Sequence, residues 1–248
     1  MAANLWRLWF LVGDVAGGRQ SQPSRARALA LYGDGLLAFR AGAQIESEAR
    51  NEQALQAARA VGDRQVEALA LVGLSRVASR NGDYVRVQSL AAEARRLTGD
   101  LDPAAGGASL HLLPAGTRLA GDYDGAVALY AESLELNRSL GDSRMVGMEL
   151  LNIGHVELHR GNVEEAERCF NESATLRNQD DPYEAAMTHL SLAALAVARG
   201  EHGRATDLLQ RTQSTLDRAG IVLDPDDAFE VKWLGDQVGD DSSAHTRE

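Results

Sequence analysis

The chain has 248 residues, 44% hydrophobic and 25% charged, the balance of a folded globular protein rather than a disordered one. A formal net charge of −11 excludes the basic footprint of a nucleic-acid binder. Ala and Leu dominate, Pro is scarce at 5 residues and aromatics make up 5%, a composition that favours helices over sheets.

Residues 1–24 read as an N-terminal capping helix. Its apolar run, Leu5 to Val12, is interrupted by Arg7, is too short to span a bilayer and lacks the basic start of a secretory signal. Trp6, Trp9 and Phe10 are expected to pack onto the first repeat, or to form a homodimer patch. From residue 25 to 220 the chain repeats. One glycine recurs after a helical stretch, as Gly42, Gly82, Gly121, Gly161 and Gly200, at spacings of 40, 39, 40 and 39. Seven residues before it stand Gly35, Ser75, Pro114, Gly154 and Ala193, small apart from the proline. Five after it stand Ser47, Val87, Ala126, Ala166 and Ala205, and twelve after it Ala54, Ala94, Ser133, Ser173 and Thr212.

Each unit therefore reads as a helix, a turn at a left-handed glycine and a second helix. The small columns mark where helices cross, which lets their axes approach to about 8–10 Å. Large apolar residues fill the columns between: Leu74, Leu113, Ile153 and Leu192 before the small one, and Tyr130, Phe170 and Leu209 nine after the glycine, with Ala91 in the second unit. Gly62-Asp63, Gly99-Asp100 and Gly141-Asp142 end the second helices of three units, and Asp180-Asp181-Pro182 and Gly220 act similarly later. Pro114 is the anomaly. It either interrupts the first helix of the third unit, at about 3 kcal/mol relative to Ala, or that helix starts late, near Leu113. Residues 221–238 read as a C-terminal capping helix with Phe229 and Trp233 inward, and 239–248 as a flexible tail. The fold expected is all-α, a right-handed superhelical solenoid of about five antiparallel helix pairs with capping helices.

Small, glycine, small, small in this phase resembles the tetratricopeptide-repeat (TPR) pattern, in a longer variant of about 40 residues that covers residues 26 to 219. The phrasing of Leu150-Leu-Asn-Ile-Gly154, Ser139-Leu-Gly-Asp142 and Leu5-Trp-Arg-Leu-Trp-Phe10 is similar to the C-terminal repeat tail of actinobacterial multidomain ATPase transcriptional regulators. Their ATPase and DNA-binding roles are not carried over. Lys232, the only lysine, has no glycine-rich loop before it, and no basic helix-turn-helix precedes the array.

The resemblance implies that the first helix of each unit lines a concave groove. The inward stripe is then Tyr32, Leu36, Phe39 and Arg40 in the first unit, Val72, Arg76, Ser79 and Arg80 in the second, and His111, Ala115 and Arg118 in the third. The fourth gives Met148, Leu151, His155 and His159 with Asn152 beside them, and the fifth is nearly bare of polar groups. An acidic chain thus turns a basic strip inward, and Arg forks hold carboxylates or phosphates bidentately. The alternative is that these cations pair with Asp and Glu of neighbouring helices.

His155 and His159 stand one turn apart, a spacing zinc uses, but a third ligand is missing apart from His111, and Glu157 points away. No Ser or Cys nucleophile has a fixed spacing to these histidines, and Cys169 beside Phe170 reads as a small core residue. No catalysis, metal, cofactor, nucleic acid or membrane is expected. The function expected is a cytoplasmic, regulatory binding scaffold for a peptide, a protein segment or an acidic small molecule. Apolar contacts fall to Tyr32, Leu36, Phe39, Met148 and Leu151, and polar orientation to Arg76, Arg80, Arg118, Asn152 and His155. Two other readings stand beside it: a small-molecule-binding protein or enzyme of secondary metabolism that uses the groove as a pocket, and a structural assembly module.

Overall fold

The computed structural model describes residues 23–98 and 103–244, the side chains of 103–110 and 240–244 excepted. Eleven α-helices and no strand occur among the described residues. They follow one another in the expected order: α1 (Arg25–Arg40), α2 (Gln44–Val61), α3 (Arg64–Arg80), α4 (Tyr84–Thr98), α5 (Pro103–Leu119) and α6 (Tyr123–Ser139). Then come α7 (Ser143–His159) with α8 (Val163–Leu176), α9 (Pro182–Ala198) with α10 (His202–Ala219), and a single last helix, α11 (Pro225–Ala244). The expected N-terminal helix bearing Trp6, Trp9 and Phe10, and the Gly99-Asp100 turn, lie outside the described residues.

The repeat glycines do what their column requires. Gly42, Gly82, Gly121, Gly161 and Gly200 sit at φ between 73° and 84°, where a Cβ is strained, and each follows the first helix of its pair. The next helix is started by an aspartate in several places. Asp63, Asp122, Asp142 and Asp181 accept hydrogen bonds from the backbone N–H of Val66, Gly125, Met145 and Tyr183 at 2.9–3.0 Å, caps worth about 1 kcal/mol each.

The small columns are where helices touch. Every member of the column after the glycine is fully buried: Ser47, Val87, Ala126, Ala166 and Ala205. So are Ala54, Ala94, Ser133, Ser173 and Thr212. The closeness is direct: Ser47 Oγ donates to the carbonyl of Gly35 at 2.8 Å, and Ser173 Oγ to that of Gly147 at 2.6 Å. A Cβ on Gly154 would stand 2.4 Å from Cε1 of Phe170, so the aromatic column on α8 is seated against backbone. Leu192 departs from its column. It is 37% exposed, because the fifth unit buries Leu190, Ala193 and Ala194 instead.

The chain divides into two compact units between Gly116 and Thr117, within α5. In the first unit α1 packs on α2, α2 on α3, and α3 on α4, over a core rich in alanine (Ala28, Ala54, Ala58 and Ala70) with Leu31, Val66 and Leu71. Pro114 is buried inside α5, eleven residues past the helix start at Pro103, so the late-start reading is corrected. Sequence inspection undervalued tertiary packing there. Gly116 lies so close to Val87 that a Cβ would meet Cγ1 at 2.4 Å, and contact of that kind offsets a missing backbone bond.

In the second unit α6 packs on α7, α7 on α8, and α9 on α10. One cluster joins Tyr130, Leu134, Leu150, Ile153, Val156 and Cys169, and another joins Leu151, Phe170, Met187, Leu190, Leu208, Leu216 and Leu234. The helix α11 packs on α9 and α10 through Leu234, with Val231 and Trp233 partly buried beside it, and it runs to Ala244, past residue 238.

Candidate functional site

Four helices of the second unit bring polar side chains to one place. Arg118 comes from the last turn of α5. Asn152, His155 and His159 come from α7, where spacings of three and four put them on one face. Tyr183 stands in the first turn of α9, held by the Asp181 cap and by Pro182 at the helix start. Arg118, His155, His159 and Tyr183 meet α11, whose Asp226, Phe229, Glu230 and Trp233 recur at helical spacing.

Glu230 is the centre of the cluster. Its side chain is 1% exposed, and both carboxylate oxygens lie 3.1 Å from His159 Nε2. An ionised carboxylate only accepts, so that imidazole nitrogen carries the proton and donates. Arg118 Nη1 stands 3.6 Å from Glu230 Oε1, and Nη2 stands 3.6 Å from Asp226 Oδ2. Among the described residues the guanidinium makes one hydrogen bond, from Nη1 to Asn152 Oδ1 at 3.2 Å. His155 Nδ1 lies 3.7 Å from Glu230 Oε2. Aromatic rings close the sides. Tyr123 stacks on His159 with centroids 4.8 Å apart and planes 2° from parallel, while Trp233 meets the same imidazole edge-on at 4.5 Å.

Burial sets the electrostatics. It pushes the Glu230 carboxyl up, but the pull of His155, His159 and Arg118 overrides it and brings the group down to about 2. Burial lowers His155 to about 4, against the pull of Glu230, so this imidazole is neutral at neutral pH. Arg118 is held above its ordinary value: burial lowers it, and Tyr130, Glu230, Asp226 and Asp227 together outweigh burial. At pH 7 Arg118 therefore brings a positive charge to Glu230 and His155 does not. Asp227, which accepts a 2.7 Å bond from the Tyr183 hydroxyl, is pushed up to about 7 by burial and by neighbouring Asp226.

The cluster is not fully satisfied. Arg118 Nε and His155 Nε2 are buried with no hydrogen-bond partner among the described residues. Each such group costs about 1–3 kcal/mol. The ion contacts of Arg118, at 3.6 Å, are also longer than the 2.7–2.9 Å of a charge-assisted hydrogen bond. In chemical terms this is a carboxylate receptor: a buried fork, an imidazole donor, an amide and an aromatic wall.

Of the residues projected from the sequence, Arg118, Asn152, His155 and His159 are thus brought together. Met148 is half-buried on the same helix, and Leu151 is 1% exposed inside the apolar core, behind the site rather than on it. The others belong to the first unit. Phe39 is buried, and the Arg80 guanidinium lies 4.1 Å above its ring, a cation–π contact. Tyr32, Leu36, Arg76 and His111 are half-buried, and Arg40 is exposed. The sequence reading missed Asp226, Asp227, Glu230, Tyr183 and Tyr123. The i, i+3, i+4, i+7 pattern of Asp226, Phe229, Glu230 and Trp233 was the signal available, an acidic and aromatic face opposite in charge to the strip.

The side chains that meet at Glu230 include no Ser, Thr or Cys. Cys169 is buried on α8, and burial raises its thiol to about 11. Among the described residues no group of three or more His, Cys, Asp or Glu is placed to hold a metal ion, and no helix is long and apolar enough to cross a membrane.

No protein-family model matches the chain, and no curated protein sequence does. Solved structures match at low identity. A Rap protein complexed with Competence and Sporulation Factor is 15% identical with a TM-score of 0.67, over 90% of this chain and 60% of that one, so the chain spans less than two thirds of its length. NprR in complex with its cognate peptide NprX is 15% identical with a TM-score of 0.67, over 93% of this chain and 71% of that one. TPR-like repeats of a Podosopora anserina kinesin light chain are 16% identical with a TM-score of 0.62, over 82% of this chain and 99% of theirs. With five helix pairs phased on the repeat glycine, these likenesses establish that the chain has the fold of TPR-like helical-repeat proteins.

Proposed function

We propose that this protein is a non-catalytic binding scaffold that recognises an acidic peptide or protein segment and acts in regulation. The observation that carries the reading is the convergence of Arg118, His155 and His159 on a single carboxylate presented by a helix, with Asn152 holding the Arg118 fork. Buried forks and imidazole donors of this kind orient a carboxylate and reject a cation. Two of the similar structures were solved with a peptide bound, NprR with NprX and the Rap conjugation gene regulator of plasmid pLS20 with Phr*, which supports a peptide as the ligand class. The strip of Tyr32, Leu36, Phe39, Arg40, Arg76, Arg80 and His111 carries similar cationic and aromatic chemistry within the first unit. Kinship with the repeat tail of actinobacterial regulators rests on the sequence phrasing around Leu150–Gly154.

The test is selection of random peptides displayed on phage against the protein and against its Arg118→Met variant. Recovered peptides rich in Asp and Glu, and lost with the variant, bear out the reading. Peptides without acidic enrichment, or retained equally by both proteins, refute it.

A further inference from the structure

The face that α11 turns to the site has the chemistry a ligand of that site should have. Asp226 and Glu230 supply carboxylates one turn apart to Arg118 and His159, and Phe229 and Trp233 flank the imidazole at centroid distances of 5.9 and 4.5 Å. A helix serving only to cover α9 and α10 needs Leu234, Val231 and Trp233 and no buried carboxylate. Ion pairs in such a place are seldom more stable than apolar side chains of the same size, and their use is to specify a partner. The fit is also incomplete, since Arg118 Nε and His155 Nε2 have no hydrogen-bond partner among the described residues while α11 is seated. The segment joining α10 to α11 is non-helical from Gly220, at φ 62°, to Asp224, so the helix is attached through a short non-helical stretch.

We infer that α11 is a tethered internal ligand, and that a partner binds this site by presenting a helix with the same pattern, carboxylates at i and i+4 with aromatics at i+3 and i+7, in exchange for α11. The inference rests on the peptide-binding reading above and specifies the ligand class. Tethering sets the affinity such a partner must reach. A short linker holds its segment at an effective concentration on the order of millimolar, so a free segment with equal contacts binds the intact protein weakly. A partner that also satisfies Arg118 Nε and His155 Nε2 gains over α11. This is helix-in-groove recognition, read as anchors at i, i+3, i+4 and i+7.

The experiment uses the full chain and a fluorescent, end-blocked peptide with the sequence of residues 223–238. Anisotropy titrations compare the wild type with a Phe229→Ala/Trp233→Ala chain, which weakens the internal ligand and leaves the receptor residues intact. The expected result is at least tenfold tighter binding to the double variant. That binding is abolished by Arg118→Met in the same chain and reduced at least tenfold by Glu230→Gln in the peptide. A folded double variant that fails to bind, or binds no better than the wild type, overturns the proposal.

Hydrogen exchange on the wild type gives an answer even where the variant does not fold. Residues 225–238 should exchange by an opening that leaves α7 and α9 protected, and faster with peptide at millimolar concentration. Exchange of α11 only together with α7 and α9 overturns the proposal. Acidic peptides selected on phage that bind while α11 stays protected leave the scaffold reading standing and remove this one. If no acidic peptide binds and Arg118→Met changes nothing, both fail.

Discussion

Replacing Arg118 and Glu230 by methionine, singly and together, asks whether the cluster is an ion pair in the physical sense. At 3.6 Å and an effective dielectric constant of about 20, the two charges attract by about 4.6 kcal/mol before desolvation. Both side chains are essentially fully buried, so little of this is lost to solvent screening. Glu230→Met leaves the Arg118 guanidinium buried with Asn152 and with Asp226, which also stands at 3.6 Å, and removal of one partner of a buried pair costs about 3–5 kcal/mol. Arg118→Met leaves Glu230 still hydrogen-bonded by His159, so the lower end of that range is expected. The double variant replaces the pair with apolar volume and should lie within about 1–2 kcal/mol of the wild type, giving a coupling energy of at least about 4 kcal/mol. Urea unfolding followed by Trp233 fluorescence measures this, in chains with Trp6 and Trp9 replaced by Phe so that one indole reports on α11. Single losses under about 0.5 kcal/mol that simply add would make the pair equivalent to a solvated surface bridge and would refute the account.

Helix-interior glycine usually loses about 0.5–1 kcal/mol to alanine, so Gly235→Ala, where an added Cβ meets nothing within 4 Å, should stabilise α11 by that amount. Gly154→Ala should do the reverse and destabilise by about 1–3 kcal/mol, because its Cβ meets Phe170 at 2.4 Å; urea midpoints that move in the same direction for both would contradict the packing. Removing the Asp142 side chain with Asp142→Ala frees the Met145 N–H at the start of α7 and should cost about 1 kcal/mol by the same measurement, against no change if that cap is solvated away. Stability against pH should show opposing limbs in the second unit. His155, lowered from 6.5 to about 4, contributes stability that is complete above 6.5 and lost as pH falls through 4. Asp227, raised from 3.8 to about 7, contributes stability that is complete below 3.8 and lost as pH rises through 7. Between about 4 and 6.5 the two offset each other. Asp227→Asn should therefore turn a nearly level profile into one that rises with pH, and parallel profiles for the two chains would refute the assignment.

The fold was legible because its instructions are local and repeated. A glycine with positive φ, a small residue seven before it and small residues five and twelve after it fix one helix crossing, and the same crossing recurs in each unit. The phase of the columns sufficed to place Tyr130 and Phe170 in the core. It misjudged Leu192, where the column position is apolar but the fifth unit turns its neighbours inward, and it left Pro114 open because packing against α4 acts across the helix rather than along it. The site was legible by half. Projecting the first-helix stripe found Arg118, Asn152, His155 and His159, because residues three or four apart share a face. What answers them lies 71 residues beyond His159, on a helix outside the repeat. No periodicity links the two, and only a comparison of charge between faces could have done so.

That division between what repeats and what does not bears on how the protein works. The apolar clusters of the second unit join side chains of α6 to α10, and of these clusters' fully buried members only Leu234 comes from α11. The charged cluster adds selectivity more than stability, since apolar replacements could fill the same volume at comparable free energy. An acidic chain that turns its arginine inward has two ways to keep it from being a buried unpaired cation: fill the site permanently, or fill it with something that can leave. Buried nitrogens with no hydrogen-bond partner among the described residues, ion contacts at 3.6 Å and a buried aspartate raised to about 7 are poor features for a permanent seat. Together they describe an occupant good enough to shield the fork in the absence of a ligand, and imperfect enough that a better-matched acidic helix can replace it.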